Sequence, residues 1–535
     1  MKAECRMQNA EWRCAAILFC ILHSAFCIPA FAGSRAEATH VAVATASPYA
    51  TQIGLRVMQD GGNAADAATA IAFALAVAKP QSGNIGGGGF AVYYDAASRG
   101  VWTLDFREVS PSAAKLAARS GVIAAAVPGT VAGMAALHER FGGKKWEHLL
   151  VPAIELARKG TKIDAELAEA IKTAKAERKI DPFTGGKIGA GAALVQSDLA
   201  STLERIAVNG AREFYDGETA RHIVDDGRAA GGVISLRDLR EYKPIWRAPL
   251  RIAFRGVDIY ALAPPSAGGL MIGSMLKILG GLDLTSASAI HLIAEAERRA
   301  ALDRDKYLGD PAFARVPMRD LLSDERAAQW RASINPKRAT PTVTIAEPVG
   351  AVAENAHTTH FSVVDAHGNV AAVTVTLGDD FGSGFVVPGC GFLLNNSMKD
   401  FSAAATPNAL EGAKRMASSM SPAIVLRDGQ AFLAIGTSCG PAIPSIIANV
   451  LIDIVANKKS LDDAVAAPRY DQQAEPEDIT YERTRAPKAT VDALIAIGHG
   501  IRAAESIGDV QAVMIDRGRR VAVSDARHGG SAGAF

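Results

Sequence analysis

Apolar residues recur along this chain with two periods. From Pro48 the spacing of Ile53 and Val57 is helical, and Asp60-Gly61-Gly62-Asn63 breaks it before the apolar run Ala64 to Ala78. Two helices joined by a tight turn are predicted, with Asn63 as N-cap of the second. That second helix is apolar on every side, which suits burial inside a large body. Residues 90–95 and 101–106 read as strands. Between about 130 and 345 the helical period dominates, and helices are predicted over 131–141, 151–159, 165–175 and 289–307. Residues 181–191 read as a glycine-rich surface loop, and 262–269 as a turn entering a helix. From about residue 360 the period drops to two. Strands are predicted over 361–364, 370–377 and 385–387, and a hairpin over 423–427 and 431–435 about Asp428-Gly429. Helices over 443–456 and 461–466 and strands over 512–516 and 521–524 complete the pattern. Such blocks predict layered sheets covered by helices, of the α/β (α+β) class.

Composition narrows the function. The 535 residues are 49% hydrophobic and 21% charged, an ordinary globular balance. Lys plus Arg is 57 against 56 for Asp plus Glu, so the chain lacks the basic field of a nucleic-acid binder. A charged ligand must be held by a local site. Four of the six cysteines, Cys5, Cys14, Cys20 and Cys27, fall in the first 27 residues. There Arg6 and Arg13 precede a short apolar run that ends at Ala30-Phe31-Ala32. Positive start, apolar middle and small-x-small end predict a secretory signal over residues 1–32, cleaved after Ala32. An N-terminal membrane anchor is the alternative. The exported protein is then periplasmic or secreted, with no membrane contact once the signal is removed. Cys390 and Cys439 remain in the body, and spacing does not say whether they pair.

Several short segments carry polar chemistry. His357-Thr358-Thr359-His360 opens a strand. A threonine hydroxyl is a poor nucleophile unless a base sits beside it, and its own freed α-amine would serve after a chain break before Thr358. A strand opening with two threonines is also common structure. Arg107, at the end of Leu104-Asp105-Phe106-Arg107-Glu108, offers a fork for a carboxylate or a partner for a nearby acid. Ser418-Ser419 precede a strand and suit either an anion or the turn backbone. Asn395 to Asp400 could face an ammonium or form a plain turn. Gly436 to Pro441 could present backbone N–H groups to an oxyanion or simply join strand to helix. The run Gly86 to Gly89 lacks the Gly-Lys-Ser/Thr of a phosphate loop and predicts close backbone packing instead. The chain shows no Cys-x-x-Cys or His-Glu-x-x-His spacing, so neither a metal nor a cofactor is expected. His40, His357 and His360 are expected as core or surface histidines.

Taken in order, the segments Asp60–Asp66, Gly86–Phe90, Leu104–Glu108, Val127–Gly133, Tyr307–Pro311, Thr358–Asp365, Leu394–Asn396 and Ser418–Pro422 resemble the γ-glutamyltranspeptidase family of N-terminal nucleophile hydrolases. The resemblance implies a four-layer αββα sandwich built by two subunits of one self-cut precursor, a large one over 33–357 and a small one over 358–535. The cut falls between His357 and Thr358. Thr358 is then the nucleophile on a γ-glutamyl amide such as glutathione, and water or an amino acid or peptide acceptor resolves the acyl-enzyme. Thr376 matches the threonine that bonds the nucleophile. Arg107, Ser418 and Ser419 match the holders of the donor α-carboxylate, and Asp400 the acid for its α-ammonium. Cys439 and Gly440 stand where the family has its oxyanion glycines. Three departures stand out: Gly378 replaces an asparagine, Ser397 replaces glutamine or glutamate, and a Cβ at Cys439 with Pro441 after it alters the oxyanion loop. The stretch 401–417 is also short beside relatives with a lid, which suggests bulkier donors or hydrolysis over transfer. Two other readings are a glutaryl or cephalosporin-type acylase of the same fold, and a catalytically silent secreted binding protein.

Overall fold

A computed structural model describes residues 34–115, 118, 120–176, 189–285, 288–346, 357–402 and 405–535. The predicted signal segment, most of the 181–191 loop and the residues just before His357 lie outside that set.

Two seven-stranded sheets form the centre. The first runs, edge to edge, Ser531–Ala534, Ala42–Thr45, His357–Val364, Val370–Gly378, Gly88–Asp95, Gly100–Phe106 and Ile245–Arg247. The second runs Arg35–Ala38, Arg519–Ser524, Gln511–Asp516, Gln430–Gly436, Ala423–Arg427, Val257–Ala261 and Leu250–Phe254. Their pairs are antiparallel throughout. Alternate residues of each strand point to opposite faces. Ala42, Phe90, Val92 and Ala372 of the first sheet therefore share one core with Ile259, Ile424, Leu433 and Val513 of the second. The outer face of the first sheet, with Tyr93, Phe361 and Val373, packs on helices Pro48–Gln59 and Ala64–Ala78. Helices Gly268–Ile278 and Ile443–Leu451 cover the second sheet. The layers are helix, sheet, sheet, helix, as expected.

Local rules explain why these segments form. The Asn63 side chain accepts from the N–H groups of Ala65 and Asp66, and Asp66 answers to the Asn63 N–H, a reciprocal cap that starts the all-buried helix. The glycines at 86–89 do what the sequence suggests. A Cβ on Gly87 would strike the Thr376 carbonyl oxygen, and one on Gly89 that of Thr374. Only bare backbone lets this strand lie against Val370–Gly378 so closely.

Three expectations need correction. Residues 385–387 are not a strand; Val386 makes only an isolated bridge to Leu393. The helical middle hides five strands among the described residues: the short pair Thr161–Lys162 and Ala193–Leu194, the strand Ile245–Arg247 at the edge of the first sheet, and Leu250–Phe254 and Val257–Ala261, which finish the second. The helix predicted over 443–456 is α-helical to Leu451 and continues as a π turn, Ile452–Ala456. Among the described residues no helix is long and apolar enough to cross a membrane. Cys390 and Cys439 are both free thiols.

Candidate active site

The strand His357–Val364 lies inside the first sheet, and its first two residues are half-buried where the rest of the strand is buried. Thr358 pairs with Thr376 of the neighbouring strand, and the register shifts between His357 and Thr358. Such irregularities re-aim side chains at strand ends. The Thr376 hydroxyl is fully used. It donates its proton to the His357 carbonyl at 2.9 Å and accepts from the Gly378 N–H at 3.0 Å and the Thr358 hydroxyl at 3.4 Å. One donor and two lone pairs satisfy three partners. The carbonyl polarised in this way belongs to the peptide bond just before Thr358.

His357 is anchored from the other side. Its Nδ1 lies 2.9 Å from Asp380 Oδ1. Burial pulls this imidazole down, but the hydrogen bond to Asp380 and the charges of Asp380 and Asp379 outweigh it and raise its pKa. His360, three residues on, has no charged partner. Burial pushes it down to about 3, so it stays neutral, bonded to the Thr374 and Ser362 hydroxyls at 2.8 and 2.9 Å. It is a core histidine, as expected.

Thr358 borders two spaces. One is a cavity of about 20 Å³ lined by Arg107, Thr376, Lys399, Asp400, Ser418 and Gly440. That is room for about one water and not for a glutamyl group. The other is a cleft of about 500 Å³ whose walls include His357, Asp379, Asp380, Cys439 and Asp509. Burial, and behind it the charge of Asp525, pushes Asp509 up to about 6.

Predicted site residues from five separate stretches thus meet at Thr358. Ser419 is one position further on, buried and outside the lining of the small cavity. The ion pairs there were not legible in the sequence. Arg107 Nη1 bonds Glu108 at 2.7 Å and its Nη2 bonds Asp400 at 2.6 Å, so both readings of this arginine meet in one place. Ser397 Oγ donates to Glu108 Oε1 at 2.9 Å. Lys399 Nζ lies 3.0 Å from Asp400 and 3.2 Å from Asp379. Burial opposes the Lys399 charge, and the two carboxylates restore it and raise its pKa. Glu108, Lys399, Asp379 and Asp380 were all missed. Each is adjacent in sequence to a predicted residue or within a few positions of one, and an acid–base neighbour pair in a turn reads as solvated charge until burial is known.

The loop after strand Gln430–Gly436 carries Cys439 at φ 112°, the left-handed region a glycine occupies without strain. Gly440 follows at φ 51° and opens a short 3₁₀ turn into the helix Ile443–Leu451. Burial pushes the Cys439 thiol up to about 11, so it is protonated and does not compete as a nucleophile. Behind the loop, Gln473 donates to the Pro441 carbonyl at 3.4 Å and to Asp471 at 2.9 Å, and Arg304 donates to Gln473 at 2.8 Å.

Residues distant in sequence also form one cluster of metal-ligating type. Ligand atoms of His291, Glu295 and His499 lie within 4.8 Å of one another. Glu295, however, already accepts from Arg299 at 2.7 Å and from the Thr340 N–H at 3.0 Å. An adjacent guanidinium disfavours a cation there.

Known proteins resemble this chain over most of its length. A curated relative, the glutathione hydrolase proenzyme of Pseudomonas aeruginosa, is 40% identical over 96% of this chain and 98% of its own length. The solved cephalosporin acylase of Bacillus halodurans superposes with a TM-score of 0.87 at 27% identity, covering 95% of this chain and 98% of that one. A γ-glutamyltranspeptidase from Pseudomonas nitroreducens, complexed with L-DON, is similar over 56% of this chain and 96% of that one, at 36% identity and a TM-score of 0.54. The family model for γ-glutamyltranspeptidases matches residues 50–535. This chain belongs to the γ-glutamyltranspeptidase family.

Proposed function

We propose that this chain is an exported precursor that cuts itself between His357 and Thr358 and then hydrolyses or transfers γ-glutamyl groups from glutathione-like amides. The observation that carries the reading is the Thr376 hydroxyl, shared between the Thr358 hydroxyl and the carbonyl of the bond to be cut. Thr358 Oγ attacks the His357 carbonyl carbon. The C–N bond breaks as a C–O ester forms, and the α-amine of Thr358 is freed. Water cleaves the ester and leaves the His357 carboxylate. Thr376 donates to the oxygen on which negative charge develops, the most effective place for a fixed donor. Fragments 33–357 and 358–535 remain folded together, since both sheets contain strands from each.

The freed amine then takes the Thr358 hydroxyl proton for attack on the γ-carbonyl. Arg107 with Ser418 and Ser419 hold the donor α-carboxylate, and Asp400 faces its α-ammonium. The N–H groups of Cys439 and Gly440 serve the oxyanion. The leaving amine departs through the wide cleft, and water or an amino acid or peptide amine resolves the ester. The small volume on the Arg107 and Asp400 side of Thr358, about 20 Å³, supports this order of events, because the donor subsite of the uncut chain has no room for a glutamyl group. The segment 1–32 directs export and is removed.

The test is N-terminal sequencing of the smaller fragment, together with turnover of a γ-glutamyl anilide by the split protein. Threonine at the new terminus and release of the aniline are expected. Thr358→Ala should stay a single chain; splitting of that variant at the same bond would remove Thr358 from its role.

A further inference from the structure

The donor subsite proposed above uses one cation and one anion, Arg107 and Asp400. The structure places a second cation beside them that the scheme leaves idle. Lys399 Nζ lies 3.0 Å from Asp400 Oδ1, while Arg107 Nη2 lies 2.6 Å from Oδ2. Both oxygens of the carboxylate meant for an α-ammonium are therefore already in ion pairs. Lys399 is 8% exposed and lines the same cavity as Thr358, so it does not swing free in water. Asp379 holds it from behind at 3.2 Å.

Glu108 and Asp379 are engaged by Arg107 and Lys399, and positions 378 and 397 offer an ammonium little more. Ser397 Oγ donates to Glu108 and accepts from Arg107 Nη1 at 3.3 Å, so its hydroxyl is already engaged. Gly378 has no side chain, and a Cβ there would strike Asn396 Oδ1. An incoming α-ammonium thus shares its carboxylate with a resident ammonium and is repelled by it. Like charges repel far more strongly in a buried site than in water. A donor with a terminal carboxylate and no α-ammonium escapes that repulsion. Its carboxylate meets two cations, Arg107 and Lys399, set among Glu108, Asp400 and Asp379.

Resting on the acyl-transfer reading above, the geometry points to Lys399 as the specificity-determining residue of the donor subsite: it frees the site from requiring an α-ammonium, so glutaryl-type acyl groups are accepted alongside γ-glutamyl ones. Lys399 touches the α-end of the donor and takes no part at the reacting bond.

L-glutamate and glutarate differ by the α-ammonium alone and are the probes. Their dissociation constants are measured by calorimetry on the processed protein, as wild type and as Lys399→Met, with Lys399→Gln as the second variant should the first fail to fold. The wild type should bind the two within about tenfold of each other, and either variant should shift their ratio toward glutamate by at least about tenfold. The ratio is taken on one protein, so a general loss of packing or processing cancels. A wild type that prefers glutamate by more than about a hundredfold, an unchanged ratio in the variants, or binding of neither diacid overturns the proposal. Turnover of γ-glutamyl and glutaryl anilides is measured in parallel. Split protein that binds a diacid but turns over neither anilide sinks the acyl-transfer reading, while the ratio still decides the role of Lys399.

Discussion

Thr376→Val tests the site at its most constrained atom. The substitution keeps shape and removes one hydroxyl that has three partners, the His357 carbonyl, the Gly378 N–H and the Thr358 hydroxyl. Two separate costs follow. The buried Gly378 N–H loses its acceptor, which costs roughly 1–3 kcal/mol of stability. The scissile carbonyl loses the donor that its oxygen needs as it becomes an oxyanion, and removing such a donor typically slows a reaction about 10²–10³-fold, or about 2.7–4 kcal/mol in the barrier. Self-cleavage should therefore slow by two to three orders of magnitude (~10²–10³), far beyond any modest loss of stability. The assay follows the uncut band on a denaturing gel after a pulse of synthesis, with a melting curve for each variant. Thr376→Ser restores the hydroxyl and should split within about tenfold of the wild-type rate. If Thr376→Val splits before Thr358 as fast as wild type, the carbonyl does not depend on this hydroxyl and the reasoning fails.

Other outcomes follow from single features. Gly378→Asn, which restores the family residue, should lower the melting temperature and not tighten donor binding: at φ 94° a side chain costs about 1–3 kcal/mol, and it displaces the Asn396 amide that holds Asp379. A variant as stable as wild type with a lower donor KM would refute this. Cys439→Gly should raise the melting temperature slightly, by relief of roughly 1–2 kcal/mol of left-handed strain, and keep turnover; a lower melting point would show that the thiol packs better than the strain costs. Burial, and then the neighbouring Asp471, holds Glu297 protonated well above its usual value. The folded state then binds more protons than the unfolded one, so stability falls as pH rises from about 4.5 toward the raised value. Glu297→Gln should remove that slope, and a melting-temperature difference between variant and wild type that stays flat from pH 5 to pH 8 would count against it. Glu482 and Asp525 are lowered, against burial, by Arg527 and Arg469. Their contribution is present above the usual carboxylate range and is lost as pH falls through the lowered values; Arg527→Met should therefore destabilise the protein at pH 7 more than at pH 3, and an equal loss at both would refute it.

The sequence by itself determined the elements whose cause is local. The break at Asp60–Asn63, the cap on Ala64–Ala78 and the alternation in 357–378 and 423–436 are short-range facts, and the structure follows them. The ordered motifs carried the family, and the order of Arg107, Thr358, Asp400 and Ser418 along the chain survives as one cavity. Short strands such as Ile245–Arg247 were invisible because three residues cannot display a period. The charge pattern of the site was also undecided. Lys399-Asp400 reads the same on a surface as in a pocket, and only burial turns it into an ion pair that competes with a ligand. Glu108 gains its meaning from Ser397, 289 residues away in sequence, and Asp379 and Asp380 from Lys399 and His357 on neighbouring segments. Local conformation depends on near neighbours, whereas electrostatics depends on distance in space and on the exclusion of water, and only tertiary packing sets those two quantities.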